Sequence, residues 1–523
     1  MLRFREDFRI FFVVRVSRRG FEWACSSGVE HLPFKQRVVG SSPTTLTEHW
    51  FREPVRPEDH DTMRKWRNWQ THHLEGVAPT RHAGSSPAFR TNFHEAHADR
   101  LFDDSCSHFI DVRLATTACS ITRSRTHDTQ LGGFMQPWQD KSLDETREKF
   151  RKFSQEQLAG EGDAWRQRDR DREFSAERWL KCCEMGVLGM SMKKEYGGLG
   201  MPYGHTIAAI EGMGEACHDT GFFFAMSSQI SGIQLALQTS GTEDLKKKWL
   251  PDLISGKHFA CLGFTEDTAG SDVFSTQTEA KPVEGGFVIN GQKSFTTNSL
   301  DSTCCLVFAR TANNRSPFDF TAFMVDMSWD GVSHGQAFEK ATLRTCSMGR
   351  VDFKDVFVPK DHIIGSVGSG LNVLKYSIGW ERVMLMGIIL GPMGRVLEET
   401  IERVKTREQF GKPIGKYQQM SSKVAEMIMR RRVSRTMVYD LCGQLTAANG
   451  AIGNYLQDVA IAKLYVTENW IQFMLDATQI WGGRGVCHDW SIQQDMRDAL
   501  SSTIWAGTSE TLRNTIAKIV GVG

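Results

Sequence analysis

Near residue 260 the apolar residues stop recurring at helical spacing and begin to alternate, and near residue 368 they switch back; this change of period constrains the fold most. Strands are predicted at 287–290, 304–309, 322–326 and 351–358, parted by Gly, Pro, Asn and Asp. Upstream, residues 145–158 and 175–185 mix charged and apolar side chains at helical spacing, and the helical signal resumes at 204–215 and 244–253. Downstream, 382–407 and 418–445 are the clearest amphipathic stretches. The order predicts an α+β chain with an N-terminal α-helical domain over 135–259, a middle β-domain over 260–368 and a C-terminal α-helical domain over 369–523.

Residues 1–134 stand apart, because they are rich in Arg, His and Ser and hold neither period for long. Arg37-Val38-Val39-Gly40-Ser41-Ser42-Pro43 recurs there as Arg81-His82-Ala83-Gly84-Ser85-Ser86-Pro87, without the buried face a structural repeat needs. Gly-Ser-Ser-Pro is also what the T-arm of a transfer-RNA gene encodes when read as protein. We therefore expect 1–134 to be an unstructured, translated upstream sequence, with the native start near Met135. A targeting peptide fits poorly, since acidic residues are scattered throughout and the opening Phe-Phe-Val-Val run is short.

The chemistry-bearing segments lie in the β-domain. Leu262-Gly263-Phe264-Thr265-Glu266-Asp267-Thr268-Ala269-Gly270-Ser271-Asp272 joins a strand to a turn of small and hydroxyl residues, which can present N–H groups and hydroxyls to a flavin and a phosphate. About one strand and turn later, Gly291-Gln292-Lys293-Ser294-Phe295-Thr296-Thr297-Asn298 offers an aromatic to lie along a ring system and a threonine to bond its polar edge. Taken singly, the first reads as an ordinary strand and loop and Phe295 as core. In this order and spacing they point to a flavoenzyme.

A net charge of +1 gives no field for nucleic acid or an anionic membrane, and no apolar run approaches a bilayer span. The 12 cysteines form no CxxC, metal spacing or disulfide framework and read as reduced thiols of a cytoplasmic protein.

Over residues 137–523 the chain resembles the acyl-CoA dehydrogenase family, with its motifs in order. Besides the two segments above, these are the turn Tyr196-Gly197-Gly198-Leu199-Gly200, Arg407-Glu408-Gln409-Phe410-Gly411-Lys412-Pro413-Ile414 with Gln418, Gln479-Ile480-Trp481-Gly482-Gly483-Arg484-Gly485, and Ala506-Gly507-Thr508-Ser509-Glu510. The resemblance implies a helical domain, a β-barrel-like domain and a C-terminal four-helix bundle, FAD as cofactor, a homotetramer, and an electron-transfer flavoprotein as acceptor. It implies FAD contacts from Leu262, Thr265, Ser271, Phe295, Thr297, Thr508 and Glu510. Arg407, Phe410, Gln418, Gln479 and Gly483 would hold the adenine and pyrophosphate of FAD bound mainly by a neighbouring subunit. Substrate contacts are implied for Ser271, Arg382 and Ala506, the last through a backbone N–H that completes an oxyanion hole.

The family removes a weakly acidic proton α to a thioester while the β-carbon loses a hydride, and so needs a carboxylate base. In much of the family it stands just before the Gly-Thr of the last motif, where this chain has Ala506. The isovaleryl and long-chain members carry it on a C-terminal-domain helix, and the matching residue is Glu381, between Trp380 and Arg382. The apolar run 383–390 should desolvate Glu381 and strengthen it as a base. The bland alternative is a Glu–Arg pair on a solvated helix face. The resemblance implies an acyl-CoA as substrate; Ile378-Gly379 stands where coenzyme A-using relatives carry an aromatic–acidic pair, which speaks for a carrier-protein acyl or prolyl thioester as the alternative. A non-catalytic FAD-binding homologue and an oxygen-using flavoenzyme on the same fold are further readings.

Overall fold

The computed structural model describes residues 11–17, 20–26, 140–160, 162–314 and 316–522. Two units are separated, at Arg125 and Thr126. In the first, β1 (Phe11–Ser17) pairs antiparallel with β2 (Gly20–Ser26), both drawn from a run rich in β-branched and aromatic residues. Both Gly-Ser-Ser-Pro copies lie outside the described residues.

The second unit opens on helices. In α1 (Lys141–Gln157) the Asp140 side chain caps the first turn, accepting from the Ser142 N–H, and Leu143 and Phe150 turn inward. After α2 (Ala164–Asp171) and α3 (Ala176–Glu184), α4 (Tyr203–Ala216) packs along α1. α5 (Thr220–Ser228) runs through a π-helical stretch, Gln229–Leu235, into α6 (Ala236–Ser240), and α7 (Glu243–Ile254) follows. The α5–α6 helix is a difference from the sequence reading, which leaves 216–243 unassigned. Every residue of α5 and of the π stretch is buried, so no polar face marks a period.

The middle of the chain forms one eight-stranded sheet, ordered β10, β7, β6, β4, β5, β9, β8, with β3 parallel to β6. Its strands are β3 (Ala260–Gly263), β4 (Glu279–Val283), β5 (Gly286–Thr297), β6 (Cys304–Arg310), β7 (Phe320–Asp326), β8 (Val332–Ala337), β9 (Met348–Pro359) and β10 (Ile363–Ile364). Cys261, Ile289, Val307, Phe323, Val325, Val351 and Val356 fill a core of its own. The register of β5 against β9 slips between Lys293 and Thr296, and Phe295 within the slip takes φ 52°. That irregularity leaves Lys293, Ser294 and Thr296 buried while Phe295 and Thr297 face outward.

Four long helices follow: α8 (Gly370–Met384), α9 (Gly387–Thr406), α10 (Gln418–Ala447) and α11 (Leu456–Trp481). A short hairpin, β11 (Glu408–Gln409) and β12 (Lys412–Pro413), joins α9 to α10, and α12 (Ile492–Ser501) and α13 (Ser509–Ile519) close the unit. The stretch 382–407, read from sequence as one helix, is interrupted at Leu385 and Met386, just past Glu381. Both flanks of the break are buried, so hydrophobicity alone could not reveal it. Among the described residues no helix is long and apolar enough to cross a membrane, and no cluster of His, Cys, Asp or Glu could hold a metal ion.

Candidate active site

Glu381 sits in the last turn of α8, is only 9% exposed, and faces the α5–π–α6 helix. Ser228 Oγ, at the end of α5, donates to Glu381 Oε1 at 3.3 Å. One turn on, Gly232 lies so close that a Cβ there would stand 3.1 Å from Oε1. Ser377 Oγ, one turn before Glu381, donates to the Gly232 carbonyl at 2.7 Å and ties the two helices together. Burial pushes the Glu381 carboxyl up to about 7, against the Ser228 hydrogen bond and the Arg382 charge, both of which favour the ionised form. Glu381 is therefore not half of an ion pair on a solvated face: Arg382 turns away and gives its Nε proton to the Ala506 carbonyl at 2.9 Å.

The segment reached by Arg382 is Trp505–Glu510, whose backbone is left-handed at Ala506 (φ 51°) and Gly507 (φ 98°). A Cβ on Gly507 would come within 3.0 Å of Arg382 Nη2, so the close approach of the guanidinium requires a glycine. Lys463, from α11, donates from Nζ to the Gly507 carbonyl at 2.9 Å. Thr508 caps α13, accepting from the Thr511 N–H, and Thr511 Oγ1 in turn donates to Ser271 Oγ at 3.4 Å. The last motif and the turn after β3 thus meet, bringing Ser271, Arg382, Ala506 and Thr508 into one neighbourhood. Glu510 is exposed at the first turn of α13.

A buried ion pair joins the two strand motifs. Lys293 Nζ donates to Glu266 Oε1 at 2.7 Å and to the Phe264 carbonyl at 3.1 Å, and the Gln277 and Thr278 N–H groups donate to the same carboxylate. Burial raises the Glu266 carboxyl, but Lys293 and these hydrogen bonds outweigh it and hold it below the usual carboxylate range. The Ser294 N–H donates to the Thr265 carbonyl at 2.8 Å, fixing β5 beside the end of β3. Leu262, Thr265 and Thr297 are half-buried and Phe295 is 52% exposed, its ring stacked on Phe338 at 4.8 Å. This surface of a flat aromatic, two threonines and strand-end backbone suits a planar, hydrogen-bonding ring system such as a flavin.

Arg407, Phe410, Gln418, Gln479 and Gly483 do not join this neighbourhood. They gather at the far end of α9, whose 20 residues span about 30 Å. There Arg403 Nη2 donates to the Trp481 carbonyl at 3.1 Å, linking the end of α9 to the turn that carries Gly483. Burial and the neighbouring Arg484 and Arg407 depress the Arg403 guanidinium, so three cations converge where a pyrophosphate would be neutralised. All five residues are exposed, Phe410 by 94%. The residues read from sequence as cofactor contacts therefore fall into two separate groups. The sequence reading missed Ser228, Gly232, Lys463, Glu266 and Lys293 as site residues; the last two lie inside the quoted motifs, where a charged pair flanked by strand residues was the available signal.

A helical domain, a sheet and a helical bundle enclosing a buried carboxylate beside a flavin-suited surface define a class of flavin dehydrogenase. Sequence profiles of this class match at 140–257 (acyl-CoA dehydrogenase, N-terminal domain), 261–356 (middle domain) and 368–521 (C-terminal domain). The chain belongs to the acyl-CoA dehydrogenase family. It is 34% identical over 364 residues to an L-prolyl-(peptidyl-carrier protein) dehydrogenase of Pseudomonas fluorescens, covering 69% of this chain and 93% of that one. Against a mitochondrial isovaleryl-CoA dehydrogenase of Solanum tuberosum it is 33% identical over 382 residues, covering 72% and 90%. The solved FAD complex of PigA superposes with a TM-score of 0.69 at 29% identity, covering 73% of this chain and 98% of that structure.

Proposed function

We propose that the protein dehydrogenates an acyl thioester between its α and β carbons, with Glu381 as the base. The α-proton passes to the Glu381 carboxylate, the β-hydrogen leaves as hydride, and the C–C single bond becomes a double bond. Bound FAD supplies the hydride acceptor. Thr265, Phe295 and Thr297 would hold its ring, while Arg407, Phe410, Gln418, Gln479 and Gly483 would hold the adenine and pyrophosphate of FAD bound mainly by a neighbouring copy. The observation that carries the reading is the buried carboxylate poised at about 7, in a chain that has alanine at the family's other base position. A base with that pKa is half ionised near neutrality and strong enough to act on a carbon acid.

The substrate is an acyl-CoA in the first reading. Ile378-Gly379 and the 34% identity to a prolyl-carrier dehydrogenase favour the second, a thioester tethered to a carrier protein. An electron-transfer flavoprotein as acceptor, a homotetramer and a cytoplasmic location complete the reading, the exposed Phe410 hairpin supporting assembly. The family match begins at residue 140, which suits a native start near Met135. Glu381→Gln tests the assignment: FAD should stay bound while anaerobic flavin reduction by the thioester falls by about a thousandfold or more. Undiminished reduction would refute it.

A further inference from the structure

We infer that Lys463 is a positioning residue for thioester dehydrogenation, and that its ammonium acts through the Gly507 carbonyl on the backbone donors of the segment that Arg382, the neighbour of Glu381, also holds. The inference rests on the dehydrogenase reading above and adds a second polar group to it. Lys463 has no catalytic partner in sequence; it lies in the first third of α11 in the run Ala460-Ile461-Ala462-Lys463-Leu464. A lysine there would ordinarily reach solvent, yet this one is fully buried. Its Nζ ends 2.9 Å from the Gly507 carbonyl and 5.0 Å from the Trp505 ring centre, over the aromatic face.

Two consecutive carbonyls are thereby held by two cations, Ala506 by Arg382 and Gly507 by Lys463. In a trans peptide the N–H points away from the C=O, so the N–H groups of Gly507 and Thr508 face away from the cations. Neither is donated to a backbone carbonyl. A cation on the oxygen polarises the peptide and strengthens its N–H as a donor. Without a polar side chain, residue 506 can contribute only its backbone, and the left-handed conformations at 506 and 507 hold it in one arrangement. Lys463 and Arg382 together fix that arrangement and charge it.

The groups facing Lys463 are Arg382 on α8, Glu468 on its own helix, and Glu510 on α13. Burial is the largest influence on its ammonium, Arg382 adds to it, and the two carboxylates oppose them, leaving it at about 7. Glu468 is engaged by Arg513, whose Nη1 lies 2.7 Å from it. The Lys463 charge is thus present below neutrality and lost above it, the reverse of the charge on Glu381. Both are needed together, so flavin reduction should trace a bell, its rising limb set by Glu381 and its falling limb by Lys463.

The test is anaerobic flavin reduction by the wild-type holoenzyme, Lys463→Met and Lys463→Arg, followed from about pH 5 to about pH 9. A wild type that no thioester reduces defeats the dehydrogenase reading itself. Given a reducible wild type, Lys463→Met should retain flavin, slow reduction by about tenfold near pH 6.5 and lose the falling limb. Lys463→Arg, whose charge does not titrate in this range, should keep the faster rate and also lose the falling limb. A Lys463→Met enzyme with the wild-type rate and profile overturns the inference. Should the Met variant fail to fold, a falling limb that persists in Lys463→Arg overturns it equally.

Discussion

At the scale of single residues, the chemistry turns on what surrounds Glu381. Ser228 gives the carboxylate a hydrogen bond that favours the ionised form. Ser228→Ala removes that preference, so the carboxyl should titrate higher and the rising limb of the pH–rate profile should move up by about one pH unit, as expected for a charged hydrogen bond of about 1.5 kcal/mol. Stopped-flow reduction at several pH values checks it, and a limb that stays in place or moves down would show that Ser228 does not bond the working form of the base. The burial of Glu381 was legible in the sequence, because an apolar run flanks it. Ser228 was not, since it comes from 153 residues away and the pairing exists only once α5 crosses α8. Lys463 was hidden for a related reason: nothing in an alternation of alanine, isoleucine and lysine tells a buried ammonium from one that reaches water.

Among the elements, the two strand motifs owe their mutual position to one buried pair. Glu266 follows β3, Lys293 lies in β5, and the contact between them sets Thr265 beside Ser294. Glu266→Gln leaves a buried ammonium without its counter-charge, which should cost about 3 to 5 kcal/mol and loosen flavin binding. Pairing it with Lys293→Met should recover most of the loss, since two apolar or neutral groups need no counter-charge. Thermal unfolding of the single and double variants measures both, and a double variant no more stable than the single would contradict the account. Strands β5, β6, β7 and β9 were readable from apolar runs set between Gly, Pro, Asn and Asp, as were α1, α7 and α10 from their polar faces. Helix α5 with its π stretch and the break between α8 and α9 were not, because both are buried on every side. The parts of the fold that form the wall around the base are thus the parts with least periodicity in the sequence.

For the whole molecule, Arg407, Phe410, Gln418, Gln479 and Gly483 gather at the far end of α9, apart from Thr265, Phe295 and Thr297, and we propose that a second copy brings the two sets together. Phe410, at φ 51° and almost wholly exposed on the tip of the β11–β12 hairpin, is the residue we propose reaches into that copy. Phe410→Ala should weaken assembly by about 2 kcal/mol or more and lower flavin retention, as seen by light scattering and by absorbance after gel filtration. A variant with unchanged assembly and flavin content would place the adenine end elsewhere. Motif order made the family and the cofactor readable, whereas the acyl group is not written in the motifs. The central claim is that Glu381 takes a proton α to a thioester. It is tested most directly by mixing the anaerobic flavoprotein with short, branched and long acyl-CoAs and with carrier-bound acyl and prolyl thioesters, in parallel with Glu381→Gln. The account predicts bleaching of the flavin by at least one of them in the wild type and none on the same timescale in the variant; equal bleaching in both, or a fully loaded wild type that no thioester reduces, would contradict it.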